Sequence, residues 1–489
     1  SHEAASLAGT LKLGKLICIY DDNGISIDGD VKAWFTEDVP ARFEAYGWRV
    51  IRDVDGHDPE SIQRALNDAV SRQDRPTLVC CRTVIGYGAP NKQGTAGVHG
   101  AALGEDEVAN ARRELGWTEP PFEIPEPVYA SWDCREKGAE QQRSWEALLA
   151  EYRAAHPEDA AEFERRVSGE LPEGWEGPIR AMAEESQAAM EPLETRKSSQ
   201  RCLTALAGAL PELYGTRWDG ADDDRYMSFG VREFGMTAIT NGMALHGGFR
   251  PFSGTFLVFM EYARNAVRLA ALMQTPNIFV YTHDSVAVGE DGPTHQPIEQ
   301  LTNLRTTPGL STWRPCDTVE SAVAWEAAVA SRQRPTALIF TRQKTAPQPR
   351  SAQAFADIRR GGYILKSEAG SLDAVIIATG SEVEIAVAAA EMLASEGVGA
   401  RVVSMPSTDV FFSQDREYRD QVLPPELRAR VAVEAAHPDY WYRFVGLDGA
   451  VVGIDRFGLS APGGQAMATL GITADNVAAA VRGVVKGGG

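Results

Sequence analysis

Short, wholly apolar runs that stop at a polar turn recur along this chain, with helical spacing between them, and that alternation leaves few folds open. The run Leu-Ile-Cys-Ile-Tyr at 16–20 halts at Asp-Asp-Asn-Gly. A strand with no polar alternation is covered on both faces, which is the condition of a parallel sheet. Stretches 48–54 and 76–85 read as two further strands, and between them 58–71 carries Ile62, Ala65, Leu66 and Val70 at helical spacing. Strand, helix, strand in that order implies parallel pairing. The pattern returns with strands predicted at 277–282 and 336–341 and helices over 237–246 and 256–273. It returns again with a strand at 374–378, the turn Thr379-Gly380-Ser381, a helix ending near Gly397 and a strand at 401–405. Ser381 and Glu384 have the spacing of a capping box at the start of that helix. Between the first two α/β segments, 117–192 is Pro-rich and then charged, with helical stretches at 144–154 and 159–167, and reads as a long helical connection. A second linker, rich in Pro, Gln, Arg and Ala, covers 343–356. The expected architecture is three open-sheet α/β segments in series.

A length of 489 residues allows two to four domains, each with its own core. Charge restricts the partners. A net charge of −20 disfavours nucleic acid and anionic membranes, so a phosphate-bearing ligand must be held by a few local Arg and His residues. No run is long enough to cross a bilayer and the start is unlike a signal peptide, which makes cytoplasm the expected location. The six cysteines are scattered without a CxxC or metal-ligand spacing and are expected to be mostly buried free thiols. The chain opens without Met, in a Ser-His-Glu-Ala-Ala-Ser-Leu-Ala stretch that reads as the middle of a helix, so a preceding segment is expected.

Ligands of open α/β sheets gather beyond the carboxyl ends of the strands, and three polar clusters lie there. The first, at 20–29, packs Asp21, Asp22, Asn23 and Asp28 into a turn. Oxygen donors at a strand end suit a hard cation such as Mg²⁺, although a solvated Asp/Asn-Gly turn has the same composition. The second, at 282–297, gathers His283, Asp284, Glu290, Asp291 and His295 in a Gly- and Pro-shaped loop. Its spacing fits no zinc motif and its acid–base content points to a site. The third, at 229–236, sets Glu233 among apolar and aromatic neighbours, where burial would raise its pKa. Pairing of Glu233 with a buried arginine is the competing reading.

The motifs DDNGISIDG, GVREFGMTAITNG, GTFLVFMEYARNAVR, THDSVAVGEDGPTHQP and ATGSEVE closely resemble those of the transketolases, in the same order and over almost the whole chain. The resemblance implies three consecutive open-sheet α/β domains of the thiamine-diphosphate-enzyme type, the first incomplete. Residues 1–165 would be the C-terminal part of the diphosphate- and Mg²⁺-binding domain with a helical linker, 166–360 the pyrimidine-binding domain, and 361–489 the C-terminal domain that supports a dimer. It also implies transfer of a two-carbon ketol unit between phosphorylated ketose and aldose sugars in the pentose phosphate pathway. Thiamine diphosphate would be the cofactor and electron sink, with Mg²⁺, or Ca²⁺ in its place, as the metal. The family works as a homodimer with active sites at the interface.

Carried over residue by residue, Asn23 would ligate the metal through its side chain and Ile25 through its carbonyl. Glu233 resembles the glutamate that protonates the pyrimidine ring, and Glu3 an acid that meets it across the interface. Phe256, Phe259 and Tyr262 resemble the aromatic pocket around the pyrimidine, although spacing of i, i+3 and i+6 serves a helical core stripe equally. His295 and His99 resemble histidines that contact ketose hydroxyls and shuttle protons. Asp291 resembles the acid that reads a hydroxyl's stereochemistry. Arg196, His283 and Arg342 resemble the phosphate grip and would supply the positive charge that the whole chain lacks.

The chain departs from the family in three places. A GDG cofactor motif has no counterpart, an acidic stretch at 219–225 stands where a GSADL-type loop is expected, and Thr95-Ala96-Gly97 precedes His99 where some members have a second histidine. The first two predict weak or absent cofactor binding, and with it a chain inactive on its own. They leave open a non-catalytic dimerising relative, and dihydroxyacetone synthase shares these motifs.

Overall fold

The computed structural model describes residues 1–218 and 224–487. The acidic residues 219–223 of the expected GSADL-type position lie outside them. The chain folds as two compact units, Ser1–Pro157 and Glu158–Gly489.

In the first unit β1 (Ile17–Asp22), β2 (Arg49–Asp55) and β3 (Thr77–Arg82) form a parallel sheet in the order β1-β3-β2. The central strand β3 is the apolar run, buried on both faces until Arg82. One face packs on Ala5, Ala8, Val39 and Trp48, whose indole N–H donates to the Ala5 carbonyl at 2.8 Å. The other face is covered by helix Pro59–Ser71, started by Asp58, whose carboxylate accepts from the amides of Glu60 and Ser61. That helix buries Ala65 and Ala69, whereas Val70, expected on the buried face, is 58 % exposed. One residue of phase, about 100° on a helix, separates the two. The expected 117–192 connection is helical in its first part, with Glu126–Trp132 and Arg135–Ala155, whereas helix Gly177–Ala189 buries Ile179 and Ala183 in the core of the second unit and is no linker.

The second unit holds two open sheets and a two-stranded antiparallel pair, Leu193–Glu194 with Lys344–Thr345. The larger is parallel throughout and runs β8-β9-β7-β6-β4-β5, where β4 is Leu213–Thr216, β5 Tyr226–Met227, β6 Arg250–Phe256, β7 Ile278–Thr282, β8 Ser311–Trp313 and β9 Thr336–Phe340. The helix predicted over 256–273 starts only at Met260, because the chain stays extended through Phe256, which pairs with Thr282, and then makes a 3₁₀ turn, Leu257–Phe259.

The smaller sheet runs β10-β12-β11-β13-β14, with β10 Tyr363–Lys366, β11 Ala374–Ala378, β12 Ala400–Ser404, β13 Arg430–Val433 and β14 Ala450–Val452. Only β10 is antiparallel to its neighbour. Its helix Glu382–Ser395 is not capped as the spacing suggested. Ser381 is itself helical, its hydroxyl donates to Glu382, and Glu384 instead accepts from the amide of Ala346. Hydrophobic packing is continuous between the sheets: Val286, Ala287 and Ile298 share a core with β11 and helix Glu382–Ser395. Four of the six cysteines are buried and all six are free.

Candidate functional site

Strands β9, β7 and β6 lie side by side, so whatever follows their carboxyl ends is brought together. His283 follows β7 directly with a left-handed backbone, φ +60°, which costs a non-glycine residue roughly 1 kcal/mol. Its imidazole is buried, with 6 % of the residue exposed, and stacks on Phe256 at the end of β6, ring centroids 3.6 Å apart and planes 19° apart. Phe259, in the 3₁₀ turn, lies parallel to Phe256 at 5.9 Å. Tyr262 sits 6.1 Å from Phe259 and is 68 % exposed. His295 meets the Phe259 ring edge-on at 5.3 Å. The three aromatics therefore converge from a strand end, a turn and a helix, not from one helical stripe. Together they form an aromatic shelf, Phe256 and Phe259 within 13° of parallel and Tyr262 tilted by 34°, open on the Tyr262 side.

Two arginines arrive by a different route. The start of helix Thr195–Ala207 is latched to the chain just past β9: the Thr341 amide donates to Thr195 Oγ1 at 2.7 Å and the Arg196 amide to the Thr341 carbonyl at 3.3 Å. Arg196 and Arg342 are thereby brought to the same edge. Arg342 Nη1 donates to the Val288 carbonyl at 3.2 Å, inside the 282–297 loop. Arg196 Nε is buried with no partner among the described residues. Burial, together with the positive charges of Arg196 and Arg342, pushes the His283 pKa down to about 4, against an opposing pull from Asp291. His283 is therefore neutral at pH 7. In the free protein it adds no positive charge beside the two arginines, because a desolvated imidazole next to two guanidiniums holds its proton poorly. Its Nδ1 lies 2.8 Å from Thr282 Oγ1.

Glu233 enters none of these contacts. It opens helix Glu233–His246, half-buried. The Met236 sulfur, 3.6 Å from Thr216 Oγ1 at the end of β4, seats that helix over the same sheet edge. In the first unit, Asn23 Oδ1 accepts from the Ile25 amide at 3.0 Å, a local turn that fixes the amide side chain. Asn23 Oδ1 keeps a second lone pair and the Ile25 carbonyl is a hard donor, so the pair fits a cation that takes most of its oxygens from a ligand. Among the described residues no group of three or more His, Cys, Asp or Glu could hold a metal. His99 is exposed after the turn Ala96–Val98, and Glu3 lies in the first turn of helix His2–Thr10.

Two features of the 282–297 loop escaped sequence reasoning. Gln296 donates to the carbonyls of Val286, Gly289 and Leu459 at 3.1, 2.9 and 3.0 Å, tying the loop to itself and to the chain beyond β14. Asp284 is an ion-pair partner of Arg314, both side chains 0 % exposed. The apolar setting of Arg314, in Trp-Arg-Pro-Cys, was the available signal.

Comparison with known proteins follows this geometry. The family model described as "Transketolase, thiamine diphosphate binding domain" matches residues 1–172, "Transketolase, pyrimidine binding domain" matches 191–348, and "Transketolase-like TK C-terminal domain" matches 361–473. The chain is 55% identical over 494 residues to Transketolase 2 of Vibrio parahaemolyticus, covering 98% of this chain and 74% of that protein. It is 54% identical over 495 residues to Transketolase 1 of Escherichia coli (98% and 75% covered). Among solved structures, transketolase from Leishmania mexicana superposes with a TM-score of 0.91 at 40% identity, covering 99% of this chain and 73% of that one.

Proposed function

The chain belongs to the transketolase family of thiamine-diphosphate-dependent transferases, and from that premise we propose that it transfers a two-carbon ketol unit from a phosphorylated ketose to a phosphorylated aldose, as in the pentose phosphate pathway. When bound, thiamine diphosphate supplies the nucleophile and takes up the electrons of the cleaved carbon–carbon bond. The chain's own residues bind, orient and exchange protons. Phe256, Phe259 and Tyr262 would offer the pyrimidine ring an aromatic surface, and Glu233 would hold its ring nitrogen. Arg196 and Arg342 take the sugar phosphate, neither being paired with a carboxylate among the described residues. His283, neutral in the free protein, adds a hydrogen bond. Asp291 and His295, at the rim of the shelf, meet the sugar hydroxyls, and His99 completes the proton traffic. Asn23 and the Ile25 carbonyl would hold the Mg²⁺ that accompanies the cofactor. The working assembly is a cytoplasmic homodimer with active sites at its interface, 1–165 carrying the diphosphate half, 166–360 the pyrimidine half and 361–489 the C-terminal domain.

The observation that carries this reading is the stack of His283 on Phe256, with His295 edge-on to Phe259 and the charges of Arg196, Arg342 and Asp291 felt at His283. It is tested by mixing the chain with thiamine diphosphate, Mg²⁺, a ketose phosphate and an aldose phosphate and following the new sugar phosphates by mass. Transfer that falls at least about tenfold in Arg342→Ala, mainly through KM, is expected. No transfer at saturating cofactor, with no calorimetric heat of cofactor binding, refutes it. Transfer to formaldehyde in preference to aldose phosphates would move the assignment to dihydroxyacetone synthase.

A further inference from the structure

Arg314 leaves the end of β8 in the larger sheet and enters the crevice of the smaller one. The crevice lies between the carboxyl ends of β11 and β13, where the chain, having added β12 on one side of β11, crosses to the other. Such switch points are where open parallel sheets usually receive a ligand. Here the occupant is Arg314 itself. Its Nη1 donates to the Thr379 carbonyl at 3.1 Å and to Glu434 Oε1 at 3.2 Å, and pairs with Glu382. Gly380, at φ +57°, leaves the necessary room, since a Cβ there would come within 2.6 Å of Arg314 Cζ. Glu434 is held in turn by Arg305 at 2.6 and 2.8 Å and by the Trp441 indole at 2.7 Å.

The other edge of the guanidinium faces the site. Nε and Nη2 lie 2.9 and 2.8 Å from Asp284 Oδ2, and Asp284 Oδ1 has no partner among the described residues. Arg314 is thus what holds the Asp284 carboxylate, and Asp284 follows His283 directly in the chain. His283 has the left-handed backbone that a non-glycine residue keeps only when its surroundings enforce it. Gln296, tied to Leu459, anchors the far end of the same loop.

We propose that Arg314 and Asp284 are positioning residues: the crevice of the C-terminal segment, filled by Arg314, fixes the backbone of His283 and so sets the phosphate-binding end of the site. A segment with no group in contact with substrate thereby controls how tightly a phosphorylated sugar is held. The proposal rests on the reading of Arg196, His283 and Arg342 as the phosphate end.

The test uses the full chain with Asp284→Ala and Asp284→Asn, each checked for cooperative unfolding by calorimetry. The His283 imidazole protons, shifted upfield by the Phe256 ring, are followed by NMR of histidine-labelled protein and assigned with His283→Gln. In Asp284→Ala these protons should return to ordinary positions, while Asp284→Asn, which keeps an acceptor for Arg314 Nε, should retain most of the shift. KM for a ketose phosphate should rise about tenfold in Asp284→Ala with kcat within about twofold, and KM for the same ketose without its phosphate should stay put. An unmoved His283 signal, or an equal loss on both sugars, overturns the proposal. If Asp284→Ala does not fold, Arg314→Lys, which keeps the charge and loses the fork, is read by the same measures. A wild-type chain that never turns over a ketose phosphate would sink the proposed function, and the NMR arm would still decide the positioning.

Discussion

Filling the phosphate end of the site should pull a proton onto His283. In the free protein burial and the two arginines hold its pKa near 4. A unit negative charge about 4 Å from the imidazole, at an effective dielectric of ~20, is worth about 4 kcal/mol, or roughly three pKa units. Arg196 and Arg342 take part of that attraction and solvent screens more, and the bound pKa should still stand clearly above the free one. The sign follows from linkage. Between pH 4 and the bound pKa the complex carries more protons than the free protein, so affinity should strengthen as pH falls through that window and level off below about 4.

The ligand should be a sulfate ester of the ketose, because a phosphate titrates near pH 6 on its own account. Calorimetry in two buffers of different ionisation enthalpy counts the protons directly. We expect proton uptake at pH 6 and close to none at pH 8. Uptake should vanish in His283→Gln. No uptake at pH 6 in the wild-type chain would refute the placement of His283 at the anion-binding end.

Removing Arg314 alone, as Arg314→Met, leaves Asp284 and Glu382 buried without a counter-charge and should cost about 3–5 kcal/mol of stability, read as a lowered unfolding midpoint. Adding Asp284→Asn and Glu382→Gln to that variant should recover a large part of the loss, and a triple variant no more stable than the single one would refute the charge argument. In the first unit, His57 Nε2 accepts from the Val84 amide at 2.8 Å while the ring stacks on Tyr87 at 3.9 Å, bracing the loop that leads to His99. His57→Phe keeps the stack and loses the acceptor, so exchange of the Val84 amide should speed up by about tenfold with a global stability change of no more than ~1 kcal/mol; unchanged Val84 exchange would refute the brace.

Much of the fold was legible because a parallel strand buried on both faces is written as an uninterrupted apolar run. Ala374–Ala378 stands as its spelling predicts, and Asp58 marks the start of helix Pro59–Ser71. The misreadings share a cause: a local signal was overruled by a contact from elsewhere. Phe256 has helical spacing with Phe259 and Tyr262, but pairing with Thr282 holds it in β6. Ser381 and Glu384 spell a capping box, but Glu384 is claimed by the Ala346 amide and Ser381 by Glu382. At the site, the polar cluster at 282–297 announced itself by composition. Its supports did not, because Leu459 and Glu434 lie far along the chain from the residues they hold.

The same logic explains how a chain with a net charge of −20 can keep an anion site. An arginine attracts phosphate only if no carboxylate has already taken it, and the partner is set by the fold. Arg314 is claimed by acids 30, 68 and 120 positions away, and Arg350 pairs with Asp317. Arg196 and Arg342, equally arginines in the sequence, reach the edge of β9 and pair with no carboxylate among the described residues. Arg342 donates to a carbonyl and Arg196 Nε to nothing. Asp291 is the acid whose charge is felt at His283, and it is exposed at the rim. What distinguishes the site is therefore the local exclusion of acids, not an excess of bases. Such exclusion is a property of packing that no window of sequence around either arginine contains.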